Sequence, residues 1–423
     1  MSDADWLSPY LTSARPKAIA ALLRYFRDLD TAEEAFQEAC FRALRHWPRN
    51  GPPQDAAAWL IMVGKNAAID ATRRRSRETP LAGYDALSDA DDPEADIAER
   101  MDHADYRDDI LRLLFICCHP GLPATQQIAL ALRIVSGLSV KQIARAFLVS
   151  EAAMEQRITR AKSRIASAGV AYDAPGLEER HTRLAAVSAM IYLVFNEGYT
   201  ASVAESGARA PLCEEAIRLA RLLLGLYPTE PEVMGLAALL LFQHARAPSR
   251  FDADGAAVLL EDQDRSLWNQ SMIAEGLALV NKAMRHRSPG PYQIQAAIAA
   301  LHASAKSPDA TDWPQIDLLY GALERMQPSP VVTLNRAVAV AKVKGAEAAL
   351  ASIGGVAEPL AHYFYFHGVR GALLMELGRD AEARDAFNRA ISLAATPAQA
   401  AHIRTCLDRL ARNSAQDRSP VSQ

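Results

Sequence analysis

The chain has 423 residues, 50% hydrophobic and only 7% aromatic, with 46 Lys and Arg against 50 Asp and Glu for a formal net charge of -4. That length exceeds what a single hydrophobic core ordinarily holds, so several domains are expected, and abundant Ala, Leu, Arg and Glu with few β-branched runs point to an all-α fold with little or no sheet. No stretch approaches 18 apolar residues, and the start MSDADWLSPYL lacks a basic segment followed by an apolar run, so neither a membrane span nor a secretory signal is expected.

The five cysteines, Cys40, Cys117, Cys118, Cys213 and Cys406, are odd in number and scattered, which argues against a disulfide framework and for a reducing cytoplasm. The mild negative charge is sorted along the chain. Residues 78–109 hold twelve Asp or Glu against Arg100 and Arg107, just downstream of a basic knot of Arg73, Arg74, Arg75 and Arg77.

In chain order, residues 9–77 read as a first helical unit, broken by the loop Pro48 to Asp55, whose Gly and Pro residues are expected to lie outside any helix. On its last helix Trp59, Met62, Val63, Asn66, Asp70 and Arg73 fall on one stripe. An aromatic, an amide and a basic end suit contact with an opened duplex, although Trp59 taken alone fits a core position better. Residues 78–107 offer no sustained apolar face and read as an acidic linker.

Residues 108–168 form a second unit ending in the layout of a helix-turn-helix. Ser139 and Gln142 make a capping box, while Val140, Ile143, Ala144 and Phe147 supply one apolar face. Leu148 and Val149 form the turn, and Ser150 caps a second helix with Met154, Ile158, Ala161 and Ile165 facing inward. Its outer face offers Gln156, Thr159, Arg160 and Ser163, flanked by Arg157, Lys162 and Arg164, which suits a major groove and its phosphates. Glu151 and Glu155 would repel phosphates, but a carboxylate can accept from cytosine N4. A capped helix pair also occurs in all-helical proteins with a purely structural role.

The order of these pieces resembles domains 2 and 4 of extracytoplasmic-function RNA polymerase sigma factors over about residues 9–168. The matching pieces are AEEAFQEA (Ala32 to Ala39), the Trp47-Pro48 loop, Ala58-Trp59-Leu60 with Asn66, Asp70, Arg73 and Arg74, the acidic linker and the helix-turn-helix. The resemblance implies a transcription initiation factor that binds core RNA polymerase and directs it to promoter DNA. Glu33, Glu34, Gln37 and Glu38 then lie where the family docks on the β′ clamp helices, with the β subunit as a further partner. Arg49, Asn50, Gln54, Trp59, Asn66, Asp70, Arg73 and Arg74 lie where it opens and reads the -10 element, and Ser150, Glu155, Gln156, Arg157, Arg160 and Lys162 where it meets the -35 element. Ahead of Arg157 the family carries Gly-Thr-Val-Lys-Ser where this chain has Ala152, Ala153, Met154, Glu155 and Gln156, so phosphate positioning is the safer inheritance than base readout. The linker resembles those that thread the RNA exit path, and also fits a merely solvated tether.

Residues 177–411 look like a tetratricopeptide-type solenoid, with the clearest copy from Phe366 to Pro397 and a partial one from Glu214 to Leu241. In the first copy Gly371, Gly378, Ala383, Phe387 and Ala390 sit at the small and aromatic positions. The sequence resembles the sigma-factor subgroup bearing such an extension, through Phe115 to Pro123 and Phe195 to Ser202. A solenoid's concave face implies a regulatory protein or an intramolecular dock as partner. The tail at 412–423 is expected to be disordered. Cys117, Cys118 and His119 are adjacent, which prevents all three from facing one ion, so no metal is expected; no cofactor-binding or catalytic motif is found, and no enzyme function is expected. The alternative from another class is a tetratricopeptide scaffold with a structural helix-turn-helix.

Overall fold

The computed structural model describes residues 5–76, 103–147, 149–168, 177–199, 203–252, 258–394 and 397–416. Among these the long elements are all helices. Of the acidic linker expected at 78–107, residues 78–102 lie outside the described residues, as do Leu148 of the expected turn and residues 417–423, whereas 103–107 begin a helix. The chain divides into two compact units, residues 1–197 and 198–423.

The first unit begins with α1 (Ser8–Phe26), α2 (Leu29–Asn50) and α3 (Ala56–Ser76), which pack on one another. Along α2 the buried residues Ala32, Ala35, Phe36, Ala39, Ala43 and Trp47 recur at three and four, and burying a large side chain such as Phe36 contributes roughly 1.5–3 kcal/mol. Gly64 on α3 lets the helices close, since a Cβ there would lie 2.8 Å from the Ala35 carbonyl oxygen. The expected loop is shorter than its composition implies. Pro48 is inside α2, which continues to Asn50, and so Arg49 and Asn50 occupy its last turn. A proline this close to the C-terminus deletes only one late ladder bond; the stop comes from Gly51, at φ 81°, whose N–H bonds the Trp47 carbonyl at 2.9 Å. Asp55 then accepts from the N–H groups of Ala57 and Ala58 to start α3.

Next come α4 (His103–Cys117), α5 (Ala124–Ile134), α6 (Val140–Ala146) and α7 (Glu151–Ser167). Helices α5 and α6 both pack on α7, and α4 packs on α1. The expected caps are present. Ser139 and Gln142 form the reciprocal box, and the Ser150 hydroxyl accepts from Ala153 N–H. Met154, Ile158, Ala161 and Ile165 are buried on α7, as their spacing predicts. Helix α8 (Leu177–Tyr199) follows.

The second unit runs through α9 (Val203–Leu226), α10 (Pro231–Ala245), α11 (Gln270–Met284), α12 (Pro291–Ser304), α13 (Trp313–Met326), α14 (Pro330–Lys344), α15 (Ala346–Gly354), α16 (Phe364–Glu376), α17 (Asp380–Leu393) and α18 (Pro397–Gln416). Each packs on its successor, and α10 also meets α12, α14 meets α16, and α16 meets α18. Among the described helices, packing chiefly of each on its neighbours and next neighbours is the signature of a helical solenoid. In the clearest repeat, a Cβ on Gly371 of α16 would meet the buried Phe387 ring of α17 at 2.6 Å, so the small residue and the aromatic are one packing unit. The C-terminal helix continues to Gln416, past the start of the expected tail.

Candidate nucleic-acid interface

The expected polymerase-facing group lies on α2, where Asp28 starts the helix by accepting from Thr31 N–H and Oγ1 at 2.7 and 2.6 Å; those bonds hold its carboxyl below the usual carboxylate range. Glu34, Gln37 and Glu38 are exposed on one edge, with Glu38 pairing Arg42 at 3.0 Å. Glu33 differs from its neighbours. It lies four residues after Leu29 and three before Phe36, on the apolar stripe, and is only 4% exposed.

The candidate -10 residues are spread over the α2–α3 corner. Arg49, Asn50, Gln54, Asn66 and Asp70 are exposed, and the Asn50 amide sits 3.0–3.1 Å from the His46 ring nitrogens. Trp59 is half-buried, stacked with His46 at 6.0 Å and edge-on to Trp47 at 5.3 Å. Its ring is therefore both a core component and an accessible face. Asn66 and Asp70 continue the stripe on the exposed side of α3, while Leu60, Ile61, Gly64 and Ala67 fill the other. Arg73 and Arg74 fall in the last turns of α3, and their side chains lie outside the described residues.

On α7 the residues expected to face DNA separate into two groups. Glu155, Gln156 and Arg160 are exposed and Arg157 half-exposed, whereas the Ser150 hydroxyl serves the helix start. Lys162 turns back to α2: its Nζ lies 2.5 Å from Asp30 Oδ1 and 2.9 Å from Glu33 Oε2. Burial works against the Lys162 charge, but the hydrogen bonds to Asp30 and Glu33 outweigh it and raise the pKa above the ordinary lysine value.

Further residues that periodicity did not single out complete this cluster. Arg133 of α5 reaches Glu33 Oε1 at 2.7 Å, and Arg15 of α1 stands 3.7 Å from the same oxygen. Arg15 also donates to the carbonyls of Ile134 and Arg133 at 3.0 and 3.1 Å, closing the C-terminal end of α5. Burial lowers its pKa, with Arg133 adding to the effect and Glu33 opposing it. Gly137, at φ 74°, admits the Arg15 stem, since a Cβ there would lie 2.7 Å from Arg15 Cδ. The only sequence sign of this cluster is the carboxylate of Glu33 standing on an apolar stripe, which demands a cationic partner inside.

Burial pushes the Cys117 thiol up to about 12 and the Cys118 thiol well above its ordinary value. Among the described residues no group of His, Cys, Asp and Glu could hold a metal ion, and no helix is long and apolar enough to cross a membrane.

Comparison with known proteins matches residues 11–78 to sigma-70 region 2, residues 112–165 to sigma-70 region 4, and residues 183–284 to a family of unknown function (DUF6596). An uncharacterized protein of Rhizobium meliloti (strain 1021) is 67% identical over 411 residues, covering 97% of each chain. Among solved structures, the crystal structure of the yeast Tom70 is similar with a TM-score of 0.39 at 13% identity, over 97% of this chain and 85% of that one.

Proposed function

The chain belongs to the sigma-70 family, and on that premise we propose that it is an extracytoplasmic-function-type initiation factor that binds core RNA polymerase in the cytoplasm and selects promoters. Its two sigma regions give it a sigma-factor-type role in transcription initiation and mark it as a transcription factor rather than an enzyme.

The observation that carries the reading is the pairing, within one compact unit, of the exposed carboxylate and amide edge of α2 with a capped α6–α7 helix pair. Glu34, Gln37 and Glu38 offer charge-assisted acceptors to a basic partner helix, here the β′ clamp helices. Arg49, Asn50, Gln54, Trp59, Asn66, Asp70, Arg73 and Arg74 serve the -10 element. The accessible face of the half-buried Trp59 ring, away from His46, suits an unpaired base, worth roughly 1–3 kcal/mol where such stacking is removed. Gln156, Arg157 and Arg160 meet -35 DNA chiefly through its phosphates, with Glu155 available to a cytosine amine. The solenoid regulates this activity through a bound protein or an internal dock.

The test is transcription in vitro from cognate genomic promoters with purified core polymerase. Specific starts that depend on the chain are expected. A folded chain that neither binds core polymerase nor starts transcripts from any promoter overturns the reading.

A further inference from the structure

We propose that the second unit binds a small phosphate-bearing molecule at a cluster of three arginines, Arg246, Arg250 and Arg265, that no carboxylate neutralises. The site lies wholly within that unit and does not depend on the initiation-factor reading.

The cluster is built where α10 ends. Arg246 caps that helix, a 3-10 turn at Ala247–Ser249 leads to Arg250, and a second at Arg265–Leu267 returns the chain to α11. Two bonds pin the ends of this loop together. Asn269 N–H donates to the Ala245 carbonyl at 2.9 Å, and Trp268 Nε1 donates to the buried Ser249 hydroxyl at 2.8 Å. Tyr199, at the end of α8, joins two of the arginines. Arg246 Nη2 donates to its hydroxyl at 2.9 Å, while Arg250 lies over its ring at 3.5 Å and donates to its carbonyl at 2.7 Å. Arg265 lies over the Trp268 ring at 4.7 Å, and its Nη1 donates to the carbonyls of His302 and Ala305 at 2.6 and 2.8 Å.

Every one of these acceptors is neutral, as is Gln243 Oε1, the second partner of Arg246. Among the described residues none of the three arginines forms an ion pair with Asp or Glu. The acids of the same loop are engaged elsewhere: Glu261 with Lys342 at 3.2 Å, and Asp264 with Ser266 N–H and Oγ at 2.9 and 2.6 Å. Other half-buried arginines of the chain do have carboxylates, since Arg336 takes Asp317 and Glu324, and Arg133 takes Glu33. The surplus charge is felt locally. Burial holds the His302 pKa at about 4, with Arg246 and Arg265 adding to the effect, and burial with Arg246 lowers Arg265 too. Arg265 Nε is buried without an acceptor, and Arg246 commits only Nη2. A bound oxyanion supplies both the missing acceptors and the missing charge.

Charge and access choose the ligand. Guanidinium forks match the oxygens of phosphate, and a phosphate monoester brings roughly -1.5 to -2 charge near pH 7, which one carboxylate cannot. All three arginines are only partly exposed, so a duplex backbone or a flat protein surface does not reach them together. A small molecule does.

The test is calorimetric titration of the full-length chain at low salt with pyrophosphate as the probe, and with ADP and succinate as comparisons. Pyrophosphate should bind one-to-one. Arg246→Gln and Arg265→Gln should each weaken it by roughly ten- to a hundredfold, the loss of a hydrogen bond to a charged group. Arg221→Gln, at an exposed arginine of α9 paired with Glu275, should bind as the parent does. Circular dichroism confirms that the variants stay helical. A second readout needs only the parent fold: the NMR signal of His302, identified by its loss in His302→Gln, should titrate at higher pH with pyrophosphate present, because a nearby anion favours the imidazolium. Tighter binding of ADP than of pyrophosphate assigns the site to nucleotides, and equal binding assigns it to the phosphates alone. No saturable binding by the parent, equal binding by both arginine variants, or an unmoved His302 overturns the site. Succinate binding as tightly as pyrophosphate overturns its assignment to phosphate.

Discussion

Glu33 and Glu34 are adjacent and chemically alike, and their surroundings give them different jobs. Glu34 is exposed beside Gln37, whereas Glu33 is buried among cations. The double change Glu34→Ala with Gln37→Ala should therefore weaken capture of core polymerase without altering the fold, because surface carboxylates contribute little to stability. Co-purification at moderate salt checks this, and undiminished capture would move the docking surface elsewhere. A second prediction at this scale concerns acid. His302 is held down at about 4 by burial, with Arg246 and Arg265 reinforcing the effect, and burial lowers His244 and His402 too. A histidine with a depressed folded pKa binds fewer protons folded than unfolded below its ordinary value of about 6.5. The second unit should thus lose stability as pH falls from about 6.5 towards 4, seen as a falling thermal midpoint. Replacing His302 by Gln should flatten part of that slope, and an unchanged slope would show that His302 is not among the groups responsible.

Helix starts and buried stripes follow local chemistry, which is why they are legible in the sequence. The Ser139–Gln142 box and the Ser150 cap need only residue type and spacing, as does the inward set Met154, Ile158, Ala161 and Ile165. The same locality accounts for the misplaced end of α2, since a proline signals a helix stop only when the ladder has bonds left to lose, and Pro48 sits where few remain. Trp59 is legible as a member of a stripe but not as the centre of a stack, because His46 and Trp47 reach it from another helix. The Glu33 cluster draws on α1, α2, α5 and α7, across separations of more than a hundred residues, which no window on the sequence can span. Ser139→Ala provides a test at this level. It removes both an acceptor for Gln142 N–H and a partner of the Gln142 side chain, a loss of about 1 kcal/mol in typical caps. Region 4 should show faster amide exchange along α6 and weaker binding to -35 duplex, with α1 to α3 unaffected. Equal exchange in both proteins would mean that tertiary packing alone holds α6.

The boundary between the two units falls within α8. Most of α8 belongs to the first unit. Arg183 stands over the Phe115 ring of α4 at 5.8 Å, and Leu184, Val187, Met190, Ile191, Val194 and Phe195 are all buried. The match to the family of unknown function begins at residue 183, so the module attached to the sigma regions contributes a helix to their own compact unit. Two truncations therefore separate folding from regulation. Ending the chain after Ala174 deletes α8 and should expose its apolar site in the first unit, giving a protein with a lower thermal midpoint that binds a hydrophobic dye. Ending it after Glu197 retains most of α8 and should preserve the stability of the first unit. If the solenoid supports the active arrangement, the chain ending at Glu197 also fails to initiate transcription while still binding core polymerase. Full activity of that chain would make the solenoid an independent adaptor, and equal stability of both truncations would mean that α8 is dispensable to the first unit.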